Sequence, residues 1–303
     1  MFYRLTDRLR RTRFAGECKG VLQSAPVTLD TSSCLALLSQ LQHKDVLMFL
    51  LALKSFNRQI EPRAVYVVND GSLSADDRAL LKDHVPGLTV FELPAFRSPS
   101  CPSGGTWERL LAISSLVDDH YVIQLDSDTL TLGPIDDVRH CIRSQAAFAL
   151  GTWDNQKIET MRERSETARK LAPGPNGHVQ VVAEANFDQL ADFESLRYVR
   201  GCSGFAGFAR KSFTREFVEG ISAQMEAAIG EKWREWGSEQ VMSNIVVANI
   251  PNAVVLPHPK YADCQKMRPD VTKFIHFIGS CRFDGGTYAR LGAQVIGTLP
   301  FSG

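Results

Sequence analysis

Apolar and polar positions along the first half of the chain switch repeatedly between two periods. "CLALLSQL" (34–41) is a near-continuous apolar run of strand length, whereas "KDVLMFLLALKSF" (44–56) has the length and pattern of a helix. "AVYVVND" (64–70), rich in Val and Tyr, predicts a second strand that ends in a turn at Asn69-Asp70-Gly71. "SADD" (74–77) has the form of a capping box, with Ser74 as N-cap and Asp77 three residues on, and opens a helix to about Asp83. Gly87 breaks that helix, and "LTVFEL" (88–93) is the third strand. "PAFRSPSCPSGG" (94–105) is loop. Trp107, Leu110, Leu111 and Leu116 then form a helical stripe in 106–117, and "YVIQL" (121–125) is the fourth strand. This alternation predicts an α/β fold with a mostly parallel sheet and helices on both faces. Right-handed crossovers carry the carboxyl ends of the strands to one edge, outside which such sheets bind ligands. Asp70 and Asp126 both end strands at that edge.

The second half is less regular. "QAAFALGTW" (145–153) predicts a strand, 155–171 a charged helix stopped by "PGPNG", and "HVQVV" (178–182) a short strand. "GCSGFAGFAR" (201–210) sets glycines at 201, 204 and 207 among apolar residues, as close backbone approach to a ligand or a neighbouring strand requires. Phe213, Phe217, Val218, Ile221 and Met225 recur at helical spacing and read as core; another helix opens at Ser238, and "KFIHFIG" (273–279) is a late strand. Neither an internal repeat nor an interdomain linker is visible, which implies a single domain.

Composition narrows the class. Lys+Arg and Asp+Glu are both 34, so the formal net charge is zero, without the basic excess of a dedicated nucleic-acid binder. The seven cysteines are odd in number and lack CxxC spacing, which argues for reduced thiols in a cytoplasmic setting rather than a zinc knuckle or disulfide framework. The densest apolar run, "VLMFLLAL" (46–53), is far shorter than the roughly 20 residues of a membrane span. The N-terminal segment carries Arg4, Arg8, Arg10, Arg11 and Arg13 between apolar residues. Two interpretations stay open for it. One is a surface helix with a solvated basic face. The other is a peripheral tether to an anionic membrane, the inner face by charge, where each basic residue contributes about 1 kcal/mol.

"YVIQLDSDTL" raises the central chemical question, because Asp126 and Asp128 place two carboxylates together at a strand end. An Asp-x-Asp pair alone carries little weight in a chain with this much Asp. Its place after several alternating units, at the ligand-binding edge, raises it. Like charges repel and resist desolvation, and a hard divalent cation resolves both problems. Mg²⁺ and Mn²⁺ favour carboxylate oxygens and are commonly completed by substrate phosphates. The plain alternative has Asp126 capping a turn and Asp128 solvated. "FIHFIGSCRFDGG" offers His276 as a third ligand on an apolar strand and, past Gly279, Arg282 to grip phosphate oxygens. A lone His there is otherwise a hydrogen-bonded core residue.

Taken in order, these segments resemble the GT-A-fold glycosyltransferases, in particular the retaining glycogenin-like and galactosyltransferase-like group. "WERLLAISSLVDDHYVIQLDSDTLTLGPI" resembles that family's helix, strand and DxD. "GCSGFAGF" is similar to its Ser-Gly segment at Ser203 and Gly204, "SEQVMSN" to its acidic-Gln helix start at Glu239, Gln240 and Asn244, and "HFIGSCR" to its His-Phe-x-Gly segment at His276, Phe277, Gly279 and Arg282. The family's Lys-Pro-Trp after the His segment is absent, and "VVNDGS" looks more like the nucleotide-binding turn of inverting enzymes, so retention and inversion both stay open. The resemblance implies a single-domain GT-A fold divided into a basic N-terminal extension (1–33), a nucleotide-sugar-binding half (34–135), an acceptor and catalytic half (136–285) and a C-terminal tail (286–303). It implies a metal-dependent hexosyltransferase. Mn²⁺ or Mg²⁺ would sit on Asp126, Asp128 and His276, and a nucleotide-sugar donor, a UDP-sugar first, on Asp70, Arg109, Asp126, Gly279 and Arg282. Gln240 would lie near the anomeric carbon and Glu239 would position the sugar or act as a base. The acceptor, a saccharide, lipid or protein, would meet the irregular region 151–200, and the loop at 94–105 would close over the donor or serve as a plain surface connection.

Three rivals share these residues. A DxD-type phosphatase would use Asp126 as nucleophile and Asp128 as acid, but Leu130 stands where that motif has Thr or Val. A sugar nucleotidyltransferase also uses carboxylates and a metal, but a Gly-rich phosphate loop with a following Lys is missing near the first strand. A catalytically silent scaffold would bind only a partner.

Overall fold

The computed structural model describes residues 2–172, 174 and 176–301, with side chains from residue 9 onward except at 280 and 281. After helix α1 (Phe2–Cys18), the strand and helix signals of the first half appear in order: β1 (Leu35–Leu41), α2 (Val46–Asn57), β2 (Ala64–Asn69), α3 (Ala75–His84), β3 (Thr89–Glu92), α4 (Trp107–Leu116) and β4 (Tyr121–Leu125). β1 and β4 are buried along almost their whole length, as strands covered on both faces must be. Ser74 caps α3 by accepting from the Asp77 amide at 3.1 Å, while Asp77 accepts from the Ser74 amide at 2.8 Å.

The second half adds β5 (Thr129–Thr131), α5 (Asp136–Ser144), β6 (Phe148–Leu150), β7 (Glu159–Thr160), α6 (Met161–Lys170), α7 (Val179–Ala185), β8 (Arg197–Tyr198) and β9 (Cys202–Phe208). It closes with α8 (Arg215–Ile229), α9 (Ser238–Asn249), β10 (Val254–Val255), β11 (Tyr261–Asp263), β12 (Phe274–His276) and α10 (Thr287–Ile296). Three expectations are corrected here. The segment 178–182 is not a strand: it forms the cap and first turns of α7, where buried positions fall at 179, 180, 183, 184 and 185, a helical spacing that the Val-Gln-Val-Val alternation conceals. The charged helix starts at Met161 rather than 155, because Thr160 and Glu163 make a capping box and residues 159–160 pair instead with β8. The thiols are not all free. Cys18, Cys34, Cys101, Cys141 and Cys202 are, but Cys264 is disulfide-bonded. The β11–β12 pairing that sets the backbone beside Cys264 could not be read from spacing; its amide donates to the His276 carbonyl at 3.0 Å. The Cys281 thiol and the Arg4 and Arg8 side chains lie outside the described residues.

The main sheet has seven strands in the order β10-β6-β9-β4-β1-β2-β3. β4, β1, β2 and β3 run parallel; β9 is antiparallel to both β4 and β6. Strand order therefore reverses between β1 and β4, the switch point outside whose carboxyl ends a crevice opens. A three-stranded sheet, β11-β12-β5, stands beside it, with β12 antiparallel to β5.

Two registers set the site. Leu125 of β4 pairs with Phe205 of β9, so the next residue, Asp126, meets Gly204 and donates its amide to the Gly204 carbonyl at 2.9 Å. Thr129 of β5 pairs with His276 of β12, so Asp128 meets Phe277, whose amide donates to the Asp128 carbonyl at 2.8 Å. The terminal helices support this junction from behind. The Phe277 ring stacks on Tyr288 of α10 with centroids 4.1 Å apart, and Tyr288 in turn meets Phe14 of α1 at 4.4 Å. Arg10 pairs with Asp284, Arg13 with Glu17 at 2.7 Å, and Arg11 with Asp45 at 3.8 Å, so these arginines of the basic segment make ion pairs within the protein. No described helix is long and apolar enough to cross a membrane.

The glycines of β9 are required by close approach. A Cβ on Gly207 would fall 2.3 Å from the Phe148 ring and 2.6 Å from the Tyr121 hydroxyl, both buried. Gly207→Ala is expected to lower stability by about 3 kcal/mol through overpacking. Chemical denaturation checks this, and a midpoint unchanged from wild type would contradict the packing described.

Candidate active site

The turn between β4 and β5 presents both carboxylates to one point, and each divides its two oxygens between two tasks. Asp126 Oδ1 accepts from the Arg109 guanidinium, while its Oδ2 lies 3.7 Å from His276 Nε2. Asp128 Oδ2 accepts from Arg282, while its Oδ1 lies 3.2 Å from the same His276 Nε2. One arginine thus offsets the charge on the outer side of each carboxylate, and the inner oxygens converge with an imidazole nitrogen. Donor atoms of Asp126, Asp128 and His276 all lie within 4.8 Å of one another. An octahedral ion with bonds of about 2.1 Å spaces adjacent donors about 3 Å apart and opposite ones about 4.2 Å apart. Two carboxylate oxygens and one imidazole at these separations fit Mn²⁺ or Mg²⁺, leaving positions for phosphate oxygens and water.

His276 is held from three sides. Cys202 Sγ lies 3.1 Å from its Nδ1, Asp128 lies at Nε2, and Gly204 lies so close to the ring that a Cβ there would come within 2.0 Å of His276 Cε1. A metal would need the ring neutral, with Nδ1–H directed to the sulfur and the Nε2 lone pair toward the carboxylates, in place of the protonated ring that the neighbouring acids favour without an ion. Burial would raise the Asp128 pKa, but His276 and Arg282 outweigh it and hold the carboxyl below its usual range. Burial would lower that of His276, but Cys202 and Asp128 outweigh it and hold the imidazole well above its ordinary value.

A second network joins the first at Arg109. Its Nη2 donates to Glu239 Oε2 at 3.2 Å, and the same oxygen accepts from Thr106 Oγ1 at 2.9 Å and Ser203 Oγ at 3.4 Å. Glu239 is 2% exposed, and its Oε1 has no hydrogen-bond partner among the described residues. Burial raises its pKa more than Arg109 and Thr106 lower it. Thr106 reaches Glu239 from a left-handed conformation, φ 75°, which follows two glycines also at positive φ. For a β-branched residue this costs ~1–3 kcal/mol, a strain that clusters at functional sites. Gln240 Oε1 accepts from the Ser203 amide at 3.3 Å. Asn244 Nδ2 donates to the Gly201 carbonyl at 2.9 Å, tying α9 to the start of β9.

These groups line one cavity of about 650 Å³, the size of a small-molecule site. Arg109, Asp126, Asp128, Glu239, Gln240, His276, Gly279 and Arg282 all line it. Asp70 does not. It ends β2 at the same sheet edge, where its Oδ1 accepts from the Ser72 amide and hydroxyl at 2.9 and 2.6 Å. Arg109 is committed to Asp126 and Glu239, so it organises the acids of the site as well as bordering the cavity. Sequence reasoning missed Thr106, Cys202, His178, Gln180, Arg200, Trp153, Trp236 and Lys266, all cavity-lining. Cys202 stands two residues before the glycine that meets the DxD, but its part in the site depends on its long-range contact with His276. Trp236, directly before the glycine that precedes α9, was legible in principle.

No protein-family model matches the sequence, and a search of curated proteins finds no match. Solved structures do match. The bifunctional glycosyltransferase WbbM, in its apo structure, superposes with a TM-score of 0.51 at 12% identity, covering 91% of this chain and 51% of that one. This chain therefore spans about half the length of WbbM. The core-mannan synthase A of Aspergillus fumigatus, in its Mn/GDP form, gives a TM-score of 0.44 at 10% identity over 74% of this chain and 73% of that one. The galactosyltransferase LgtC, in complex with donor and acceptor sugar analogues, gives 0.42 at 11% over 88% and 97%. The first of these likenesses, with the sheet order above, shows the fold: the chain has the mixed α/β GT-A fold of glycosyltransferases.

Cys202 tests the support of the metal site. Cys202→Ala is expected to weaken Mn²⁺ binding by about 10- to 100-fold, and Cys202→Ser, which keeps an acceptor for Nδ1–H, to recover part of the loss. Titration of the free-Mn²⁺ electron paramagnetic resonance signal measures this. Equal affinity in all three proteins would show that the sulfur does not orient His276.

Proposed function

We propose that the protein is a metal-dependent glycosyltransferase that moves a sugar, by preference a hexose from a UDP-sugar, onto an acceptor hydroxyl. The convergence of Asp126 Oδ2, Asp128 Oδ1 and His276 Nε2 at the switch-point crevice carries this reading. The GT-A fold supports it.

Breaking the bond between sugar and diphosphate builds positive charge on the sugar and negative charge on the leaving group. Asp126, Asp128 and His276 would hold a divalent cation, which would supply electrostatic stabilisation of the departing diphosphate. Arg282, anchored to Asp128 and by Nε to the Phe277 carbonyl at 3.2 Å, adds a fixed positive charge beside the same point. Glu239 lines the cavity, and its carboxylate would accept a hydrogen bond from a donor-sugar hydroxyl. Gln240, whose Oε1 accepts from the Ser203 amide, would direct its amide toward the reacting carbon. The acceptor oxygen bonds to the anomeric carbon as the carbon–oxygen bond to the diphosphate breaks. The electron pair leaves with the nucleoside diphosphate, and the hydroxyl proton passes to a diphosphate oxygen or to solvent. Residues 152, 153, 178, 180 and 200 line the cavity, which supports region 151–200 as the acceptor wall.

Incubation with a panel of nucleotide sugars and Mn²⁺ is expected to release nucleoside diphosphate slowly, and a chelator to abolish the release. Asp128→Asn is expected to lower the rate at least about 100-fold with unchanged circular dichroism. Full activity in that variant would remove the metal from the mechanism. Inorganic phosphate from simple esters would instead indicate a phosphatase, and pyrophosphate from a sugar phosphate with a nucleoside triphosphate a nucleotidyltransferase.

A further inference from the structure

Charge is distributed unevenly along the cavity. The acids that line it are Asp126, Asp128 and Glu239, all in the two networks around Arg109 and His276. The remaining lining cations, Arg200 and Lys266, belong to a different neighbourhood. The Arg200 carbonyl accepts from Gln156 at 2.8 Å and lies 3.5 Å from Thr152 Oγ1, and Lys266 Nζ donates to the Thr152 carbonyl. Arg200 is four residues before Gly204, which packs on His276, so at most about 13 Å of chain separates the two.

Arg200 is braced from behind. Its Nε lies 3.1 Å from Oε1 of Glu184, a fully buried carboxylate also approached by Arg164 at 3.6 Å and by the Tyr198 hydroxyl at 3.1 Å. No hydrogen bond uses its two Nη groups among the described residues, and the side chain borders the cavity. A guanidinium ion-paired at Nε and without a hydrogen bond at Nη among the described residues presents a fork suited to a carboxylate, phosphate or sulfate. Lys266, 3.9 Å from Asp263, adds positive charge beside it.

Two indoles complete this end. Trp236 is 77% exposed and Trp153 is 40% exposed, although both line the cavity. His178 meets Trp236 edge-on, with centroids 6.3 Å apart, and packs against Gly237. The His178 Nδ1 accepts from the Gln180 amide at 3.2 Å, which leaves its Nε2–H as a donor. A pyranose ring has an apolar C–H face that covers an indole and a rim of hydroxyls that need polar partners. Gln180, Thr152 and the His178 Nε2–H supply such partners.

We propose that the acceptor is an anionic saccharide whose ring stacks on Trp236 and whose charged group, a carboxylate, phosphate or sulfate, docks on Arg200. The proposal rests on the glycosyltransferase reading above, which names no acceptor.

A glycan array probed with labelled full-length protein, with Mn²⁺ and UDP present, tests it. Matched arms carry neutral, uronate or sialate, phosphorylated and sulfated sugars, and the strongest arm identifies the anion. Acidic glycans are expected to bind at least about tenfold above their neutral counterparts. Trp236→Ala, a change at an exposed side chain, is expected to reduce binding at least about tenfold. Arg200→Gln is expected to erase the preference for acidic over neutral glycans, and Arg200→Lys to keep part of it, with melting temperatures checking that Glu184 tolerates the change. Lys266→Gln, at the surface, provides a second reduction of the preference that does not touch Glu184. Equal or stronger binding to neutral glycans overturns the proposal. So does the absence of bound glycan when the wild-type protein hydrolyses a nucleotide sugar. If the wild type hydrolyses none, the glycosyltransferase reading fails first and takes this one with it.

Discussion

Two carboxylates two residues apart, at the dry end of a β-strand, can be tolerated only if something positive answers each of them. In this protein each Asp turns one oxygen to an arginine and the other inward to a shared point, where His276 contributes its nitrogen. The arginines make the pair of charges affordable to the fold, and the inward oxygens give the site its capacity to hold a cation. Arg109 also binds Glu239, so the Asp126-Asp128-His276 group and the acid of α9 are mechanically one unit. Neutralising Arg109 would therefore free two acids at once, and its effects should be strongly non-additive with those of either partner.

That convergence is a consequence of register rather than of any single loop. Asp126 is set by β4 against antiparallel β9, Asp128 by β5 against β12, and His276 ends β12. A one-residue slip in either pairing would turn a ligand away from the site. Gly204 lets the imidazole lie flat on β9, and Cys202 fixes its rotation. The ring stack from Phe277 through Tyr288 to Phe14 ties the strand that carries His276 to helices α10 and α1. The basic N-terminal helix thus supports the site structurally, whatever surface its exposed face meets.

The first half of the fold was legible because its signals are local: apolar runs of strand length, a capping box, and a glycine stop. Asp126 and Asp128 were legible because alternating units identify the edge where they sit. His276 needed the order of the later motifs as well, since a histidine on an apolar strand is ambiguous by itself. What escaped depends on long-range pairing. The role of Cys202 appears only when β9 lies beside β12, and the disulfide at Cys264 only when β11 does. Thr106 in a left-handed conformation has no sequence signal beyond the two glycines before it. The misread strand at 178–182 shows the opposite failure, in which local alternation imitated a strand while His178 capped a helix. Asp70 was read correctly as a strand end at the binding edge, but its carboxylate serves a turn with Ser72 rather than the cavity wall.

The central claim is most directly tested by anomalous diffraction at the manganese edge, from crystals grown with Mn²⁺ and a nucleoside diphosphate. One peak is expected, about 2.2 Å from Asp126 Oδ2, Asp128 Oδ1 and His276 Nε2, with Arg109 and Arg282 still on the outer oxygens. No peak there, or arginines swung inward to occupy the point themselves, would contradict it.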